Sequence, residues 1–371
     1  MTRAKCLRRL VIASIAIVLA GNVLALSAQS TPPRLARPLE PIQAILDAFQ
    51  SHSLVALGEG HHLSQEDHAF HLSLIRDPRF PNVVNDIVVE RGNARYQDVI
   101  DRFIRGEDVG SDMLRHVWQD TTALTFEFDV PLSEELFQAV RSVNARLPRE
   151  RQVRVLLGDP PIEWENVRTF ADMLRWGDQR DFFAADLIRR EVLAKGRRAL
   201  LIWGRGHFQR RNQRTNFESA DWLAGLLESD DKTKMFSIFP VFATADAGVE
   251  PDVSMVQRDI VSWPVPSLAH VSGTQLGGAD FETYFPSDSR FVKQGERFVP
   301  LPRDQWRTMP MEQQFDAVLY LGRRLNLARL SPSTCADAAY IDMRSSRMAL
   351  APDGQPNIAR LKAHCAAALG R

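Results

Sequence analysis

Cysteine is scarce in this chain: three in 371 residues, at Cys6, Cys335 and Cys365. None of them is spaced as structural zinc ligands are, so a zinc finger or ribbon is excluded. Net charge is missing too, since Lys+Arg and Asp+Glu stand at 46 each. No block of like charge occurs, which removes a basic nucleic-acid footprint and a charged interaction tail. There is no Gly-x-Ser-x-Gly elbow, so a serine hydrolase of the α/β type is not supported. Neither glycine cluster has the spacing of a dinucleotide or phosphate loop, which argues against nucleotide binding. Internal repeats and low-complexity segments are absent as well. The partner these absences leave is a neutral or locally polar small molecule, with no nucleic acid.

The one long apolar run lies at the start. Arg3, Lys5, Arg8 and Arg9 precede an almost wholly apolar stretch over residues 10–26, and Ala25-Leu26-Ser27-Ala28 offers small residues for cleavage. Residues 1–28 therefore read as a secretory signal peptide. The expected product is periplasmic or secreted, with no stable membrane anchor once the signal is removed. Cys6 leaves with the signal, so the mature chain keeps Cys335 and Cys365, candidates for one disulfide in the tail.

Residues 29–38 carry three prolines and read as a linker. Ile42, Ile45, Leu46 and Phe49 then have helical spacing. Short apolar runs at 53–57, 86–89, 153–157, 199–203, 235–241 and 315–321 read as buried strands. Helical patterns alternate with them: 64–77, 94–105, 132–147, 161–176, 179–195 and 219–227. Residues 243–312 are irregular and rich in Pro, Gly and Ser, and stay unassigned. A last helix is expected over 357–369. The alternation predicts an α/β fold: an open, mostly parallel sheet of about six strands, helices on both faces, and an irregular insertion near the C-terminal half. A TIM barrel needs eight strands. The domain reading is one α/β domain over 29–330 and a tail over 331–371.

Chemistry gathers where the strands end, the side of an open parallel sheet that binds ligands. The first strand runs into Gly58-Glu59-Gly60-His61-His62, and the second ends in Glu90-Arg91. A carboxylate three positions before a histidine can supply a base with its orienting partner. Free N–H groups of the helix opening at Ser64 would favour an anion or developing oxyanion nearby. One of His61 and His62 is expected to face the site; the spacing does not say which. Burial of Glu90 at a strand end demands a raised pKa or a cationic partner. Arg91 follows it in sequence and so points to the other side of the strand. Asp159 and His207 stand at the ends of the third and fourth strands, the latter in Gly204-Arg205-Gly206-His207. His68 and His71, one turn apart, read as a solvated helix face, because no third metal ligand has recognisable spacing.

These pieces resemble a known family. Gly58-Glu59-Gly60-His61-His62-Leu63-Ser64-Gln65-Glu66 is similar to the Gly-Glu-x-x-His-Gly-x-x-Glu signature of the erythromycin esterases. Glu90 resembles that family's strand-end glutamate, and Arg180-Asp181 opens a segment like its Arg-Asp-x-x-Met-Ala-x-Asn helix. Trp203 to His207 resembles its Trp-Ala-His-Asn-x-His strand end, with Gly204-Arg205-Gly206 in place of Ala-His-Asn. Leu63 stands where the signature has glycine. The resemblance implies an exported esterase-like hydrolase. Its catalytic residues would be Glu59, His62, Glu90 and His207, with His61, Arg91, Asp159 and Arg205 contacting substrate. No cofactor and no metal ligand set is needed in that reading. Read through His61 and Gly206-His207, the chain instead resembles the ChaN-like and Tiki families, which implies haem or a divalent metal bound without turnover.

Overall fold

The structure is a computed structural model. It describes residues 33–210, 222–229, 233–242, 260–281, 291–294, 297–300, 302, 309–352 and 354–370. The signal peptide over 1–28 lies outside the described residues.

Seven strands form one sheet: β1 (Leu54–Glu59), β2 (Asp86–Asn93), β3 (Arg154–Asp159), β4 (Ala199–Gly204), β5 (Met235–Val241), β6 (Ser267–His270) and β9 (Ala317–Tyr320). Their order is β3-β2-β4-β1-β5-β9-β6. Every neighbouring pair is parallel except β6 with β9, which is antiparallel. Two further strands, β7 (Phe291–Gln294) and β8 (Arg297–Pro300), pair with each other. The expected six strands are thus joined by β6 at the sheet edge. Its four residues lie in the stretch that carried no readable pattern, and they become a strand only by pairing with β9.

Burial explains the continuous apolar runs. All six residues of β1 and all eight of β2 are buried. Val55, Leu57, Ile87 and Val89 face a core shared with helices Pro41–Ala48, Gln65–Arg76, Gln97–Ile104, Ser111–Gln119 and Leu132–Asn144. Leu54, Ala56 and Val88 face a second core under helices Arg180–Glu191 and Leu223–Leu227. Alternate residues therefore serve opposite faces, and both faces are covered.

Helix Gln65–Arg76 begins as expected, with Ser64 Oγ accepting the Asp67 N–H at 3.0 Å. The solvated face expected for His68 and His71 is not found. They are 6% and 1% exposed, because this helix packs against Leu132–Asn144 and both histidines fall on its buried stripe. His68 Nε2 pairs with Glu135 of that second helix at 3.0 Å.

The tail folds into three helices, Pro332–Ala336, Ala338–Met348 and Gly354–Ala368. A disulfide joins Cys335 to Cys365 across 30 positions. Both sulfurs sit in a small core with Leu63, Phe126, Val130 and Leu132, so the tail packs directly against the loop that follows β1.

Candidate functional site

In the sheet, β4 lies between β1 and β2, and Gly204 at its end is in register with Glu59. Alternation puts Glu59 on the same face as Leu57, and Glu90 on the same face as Val88. The two carboxylates therefore rise on opposite faces, on either side of the end of β4. The His62 ring spans the gap. Its Nδ1 is 2.8 Å from Glu59 Oε2, and its Nε2 is 3.8 Å from Glu90 Oε2. Gly204 makes this crossing possible. A Cβ there would come within 3.1 Å of His62 Cε1 and 3.3 Å of Glu90 Oε2.

Each carboxylate has its own guanidinium. Arg91, buried on the Glu59 side of β2, donates to Glu59 Oε1. Arg180 Nη2 donates to Glu90 Oε1 at 2.6 Å, while the Gly204 N–H donates to Oε2 at 2.6 Å. Burial alone would push Glu59 up; Arg91, with His62 and His71, outweighs it and holds the carboxyl well below the usual range. Burial is likewise overcome at Glu90, where His62, Arg180 and His207 lower the pKa to about 2. Both groups are anions at neutral pH. For His62 burial lowers the pKa, but Glu90 and Glu59 outweigh it, so its proton is held above the ordinary histidine range.

His207 repeats the arrangement from the other side. Its Nδ1 lies 2.7 and 2.9 Å from the two Asp181 oxygens, and its Nε2 lies 3.6 Å from Glu90 Oε1. Two imidazoles, each with Nδ1 on a carboxylate, thus turn Nε2 toward the two oxygens of Glu90. A carboxylate at Nδ1 fixes the tautomer with the proton there and leaves Nε2 as the proton acceptor.

The other predicted residues take different places. His61 is half-buried, and its Nδ1 accepts the Leu63 N–H at 3.0 Å. Burial lowers its pKa, so it is a neutral ring whose proton sits on Nε2. Asp159 is fully buried and accepts from the Thr122 N–H at 2.7 Å, from Thr122 Oγ1 at 2.6 Å and from Arg180 Nε at 3.1 Å. Burial pushes it up to about 6 despite Arg180. It braces Arg180 from behind. The Arg205 guanidinium lies over the Phe239 ring, 4.8 Å from its centroid.

Four site residues escape a reading by spacing alone. Arg180, Asp181, Thr122 and Phe128 are remote in sequence from the groups they touch. Arg180 and Asp181 stand out through the family motif; Thr122 and Phe128 carry no signal. Phe128 meets the His62 ring edge-on at 4.9 Å. Its neighbour Asp129 is held by the tail, accepting from Tyr340 Oη at 2.6 Å and from Arg344 Nη2 at 2.8 Å. The chain just ahead of the tail grips the histidine loop. Ala328 N donates to Leu63 O at 2.7 Å, Gln65 N to Asn326 O at 2.9 Å, and Asn326 N to Glu66 Oε2 at 2.9 Å.

Among the described residues, ligand atoms of Glu59, His62 and Glu90 lie within 4.8 Å of one another, close enough to share a cation. The set fits a resident dication poorly. Arg91 and His62 Nδ1 already occupy Glu59, while Arg180 and the Gly204 N–H occupy Glu90. An added dication would face two guanidiniums across the same carboxylates.

No family model and no curated protein matches the sequence. Solved structures do. The chain is similar to a succinoglycan biosynthesis protein at 9% identity, over 79% of this chain and 95% of that one, with a TM-score of 0.52. An erythromycin esterase mutant in its open conformation is 12% identical over 80% of this chain and 98% of the other, TM-score 0.49. The haem-binding ChaN of Campylobacter jejuni is 13% identical over 56% and 88%, TM-score 0.34. At such identities the likeness is one of fold, not of activity.

Proposed function

We propose that this protein is a hydrolase that uses His62 to activate water against an ester, lactone or similar neutral bond. The observation that carries the reading is the placement of His62: Nδ1 on Glu59 and Nε2 turned toward Glu90, in a side chain that is 23% exposed. Glu59 holds the tautomer, and His62 Nε2 takes a proton from water as oxygen attacks the carbonyl carbon. Glu90 stabilises the imidazolium that forms. His207, oriented by Asp181, polarises or protonates the oxygen of the reacting group from its doubly protonated form, in which Nε2 also carries a proton. Arg91 and Arg180 keep the two carboxylates ionised throughout.

The pH profile tests this. His62 must be neutral to act, and its proton is held above the ordinary 6.5. Turnover should rise with pH along a limb displaced upward from an ordinary histidine, with no ascending limb near pH 4–5 from the carboxylates. The measurement is kcat/KM against pH on a panel of neutral esters and lactones. A rate that is flat through the neutral range would count against His62 as the base.

A haem- or metal-binding role through His61 and His207 has less support. An axial imidazole offers a nitrogen lone pair, and the Leu63 N–H already takes the one on His61 Nδ1. The preferred mechanism requires no cofactor.

Export belongs to the same proposal. The Cys335–Cys365 bond favours it, since such bonds persist outside the reducing cytosol. Among the described residues no helix is long and apolar enough to cross a membrane. N-terminal sequencing of exported material should begin just after Ser27 or Ala28. An intact segment on a cytoplasmic protein would overturn the localisation.

A further inference from the structure

We propose that Asp67 is a positioning residue: its side chain holds the loop bearing His61 and His62 to the following helix through the Gly60 amide. The inference rests on the reading of His62 as base, and it concerns how that base is kept in place.

Asp67 is 2% exposed in the first turn of helix Gln65–Arg76. An acid three residues after a serine cap ordinarily turns back to the cap's own N–H. Here that donor is taken, because Ser64 N donates to His61 O at 2.8 Å. The Asp67 side chain reaches past it, and Oδ2 accepts the Gly60 N–H at 3.2 Å. The fit is close: a Cβ on Gly60 would lie 3.3 Å from that oxygen and 2.9 Å from Phe242 Cε2. Gly60 is the residue between Glu59 and His61. Its anchor therefore controls where the chain leaves β1 before it places His62 over Gly204.

The other oxygen, Oδ1, is buried with no hydrogen-bond partner among the described residues. A buried polar atom left unpaired costs roughly 1–3 kcal/mol, so helix stability does not explain a carboxyl at this spot. Glu59 and Arg205 are the charged groups whose fields reach it; burial, with Glu59 adding, raises its pKa to about 7. Ionised, or protonated on Oδ1, the carboxyl accepts through Oδ2 alike. The anchor needs an acceptor there, not a charge.

Asp67→Ala and Asp67→Asn separate these possibilities. Both keep the backbone N–H that Ser64 caps, so the helix start survives. Asp67→Ala should lose hydrogen-exchange protection at the Gly60 amide and the NMR signal of the His62 Nδ1 proton shared with Glu59. Its kcat should fall by about tenfold to a hundredfold with KM little changed. Asp67→Asn supplies an amide oxygen at the same place and should restore all three. The proposal is overturned if Asp67→Ala keeps both protections, or if Asp67→Asn fails to recover them. Absence of turnover in the parent protein, with the amide and imidazole changes as expected, would instead remove the hydrolase reading and leave the anchor standing.

Discussion

His62→Gln should reduce turnover by two to four orders of magnitude while leaving KM nearly unchanged, the usual cost of removing a general base. Glutamine can still donate an amide hydrogen to Glu59, so the local network keeps a partner for that buried anion. What it lacks is a nitrogen that takes up a proton near neutral pH. His61→Gln should cost far less, because His61 is turned inward to the Leu63 amide and touches neither carboxylate in hydrogen-bond range. A rate in His62→Gln close to that of the parent would rule out this assignment and return His61 to candidacy. The measurement is steady-state kinetics on the ester and lactone panel, beside far-ultraviolet dichroism to establish folding.

Removing the disulfide should have the largest effect on stability. Cys335→Ser with Cys365→Ser releases a closed loop of 30 positions, worth about 3–4 kcal/mol by chain entropy. The loss should not stay in the tail. The helices it staples pack on Leu63 and hold Asp129 beside Phe128. Hydrogen exchange should therefore accelerate at residues 63–66 and 326–328 together, before the sheet opens. Denaturant melts of the double variant test the magnitude, and peptide mapping without reductant tests the bond. Freely alkylated cysteines in exported protein, or an unchanged melt, would sink this prediction.

Much of the fold can be read in the residue pattern because parallel strands covered on both faces must be apolar along their whole length. Leu54 to Leu57 and Ala199 to Trp203 show that signature, and Pro78 and Ser64 mark helix ends by local chemistry alone. Edge strand β6 shows none of it. Four residues at a sheet edge make too short a run to stand out, and only β9 supplies the pairing. The histidines of helix Gln65–Arg76 fail for a related reason. A polar residue at helical spacing looks solvated until a second helix, here Leu132–Asn144, is laid against it.

The site divides along the same line. Sequence by itself determined that Glu59 and Glu90 follow apolar runs that have to be buried, with His62 three positions after the first; the structure carries β2 on past Glu90 to Asn93. Sequence also determined that Cys335 and Cys365 are the pair available for a bond. Tertiary structure decided which histidine reaches both carboxylates, because β4 inserts between β1 and β2 and leaves a gap over Gly204 that the His62 ring spans. It decided as well that Arg180 and Asp181 belong to the site. Their partners, Glu90 and His207, are 90 and 26 positions away, and only the stacking of their helix on the sheet closes that distance. Strand order and helix packing are long-range properties, and a local pattern of residues does not contain them.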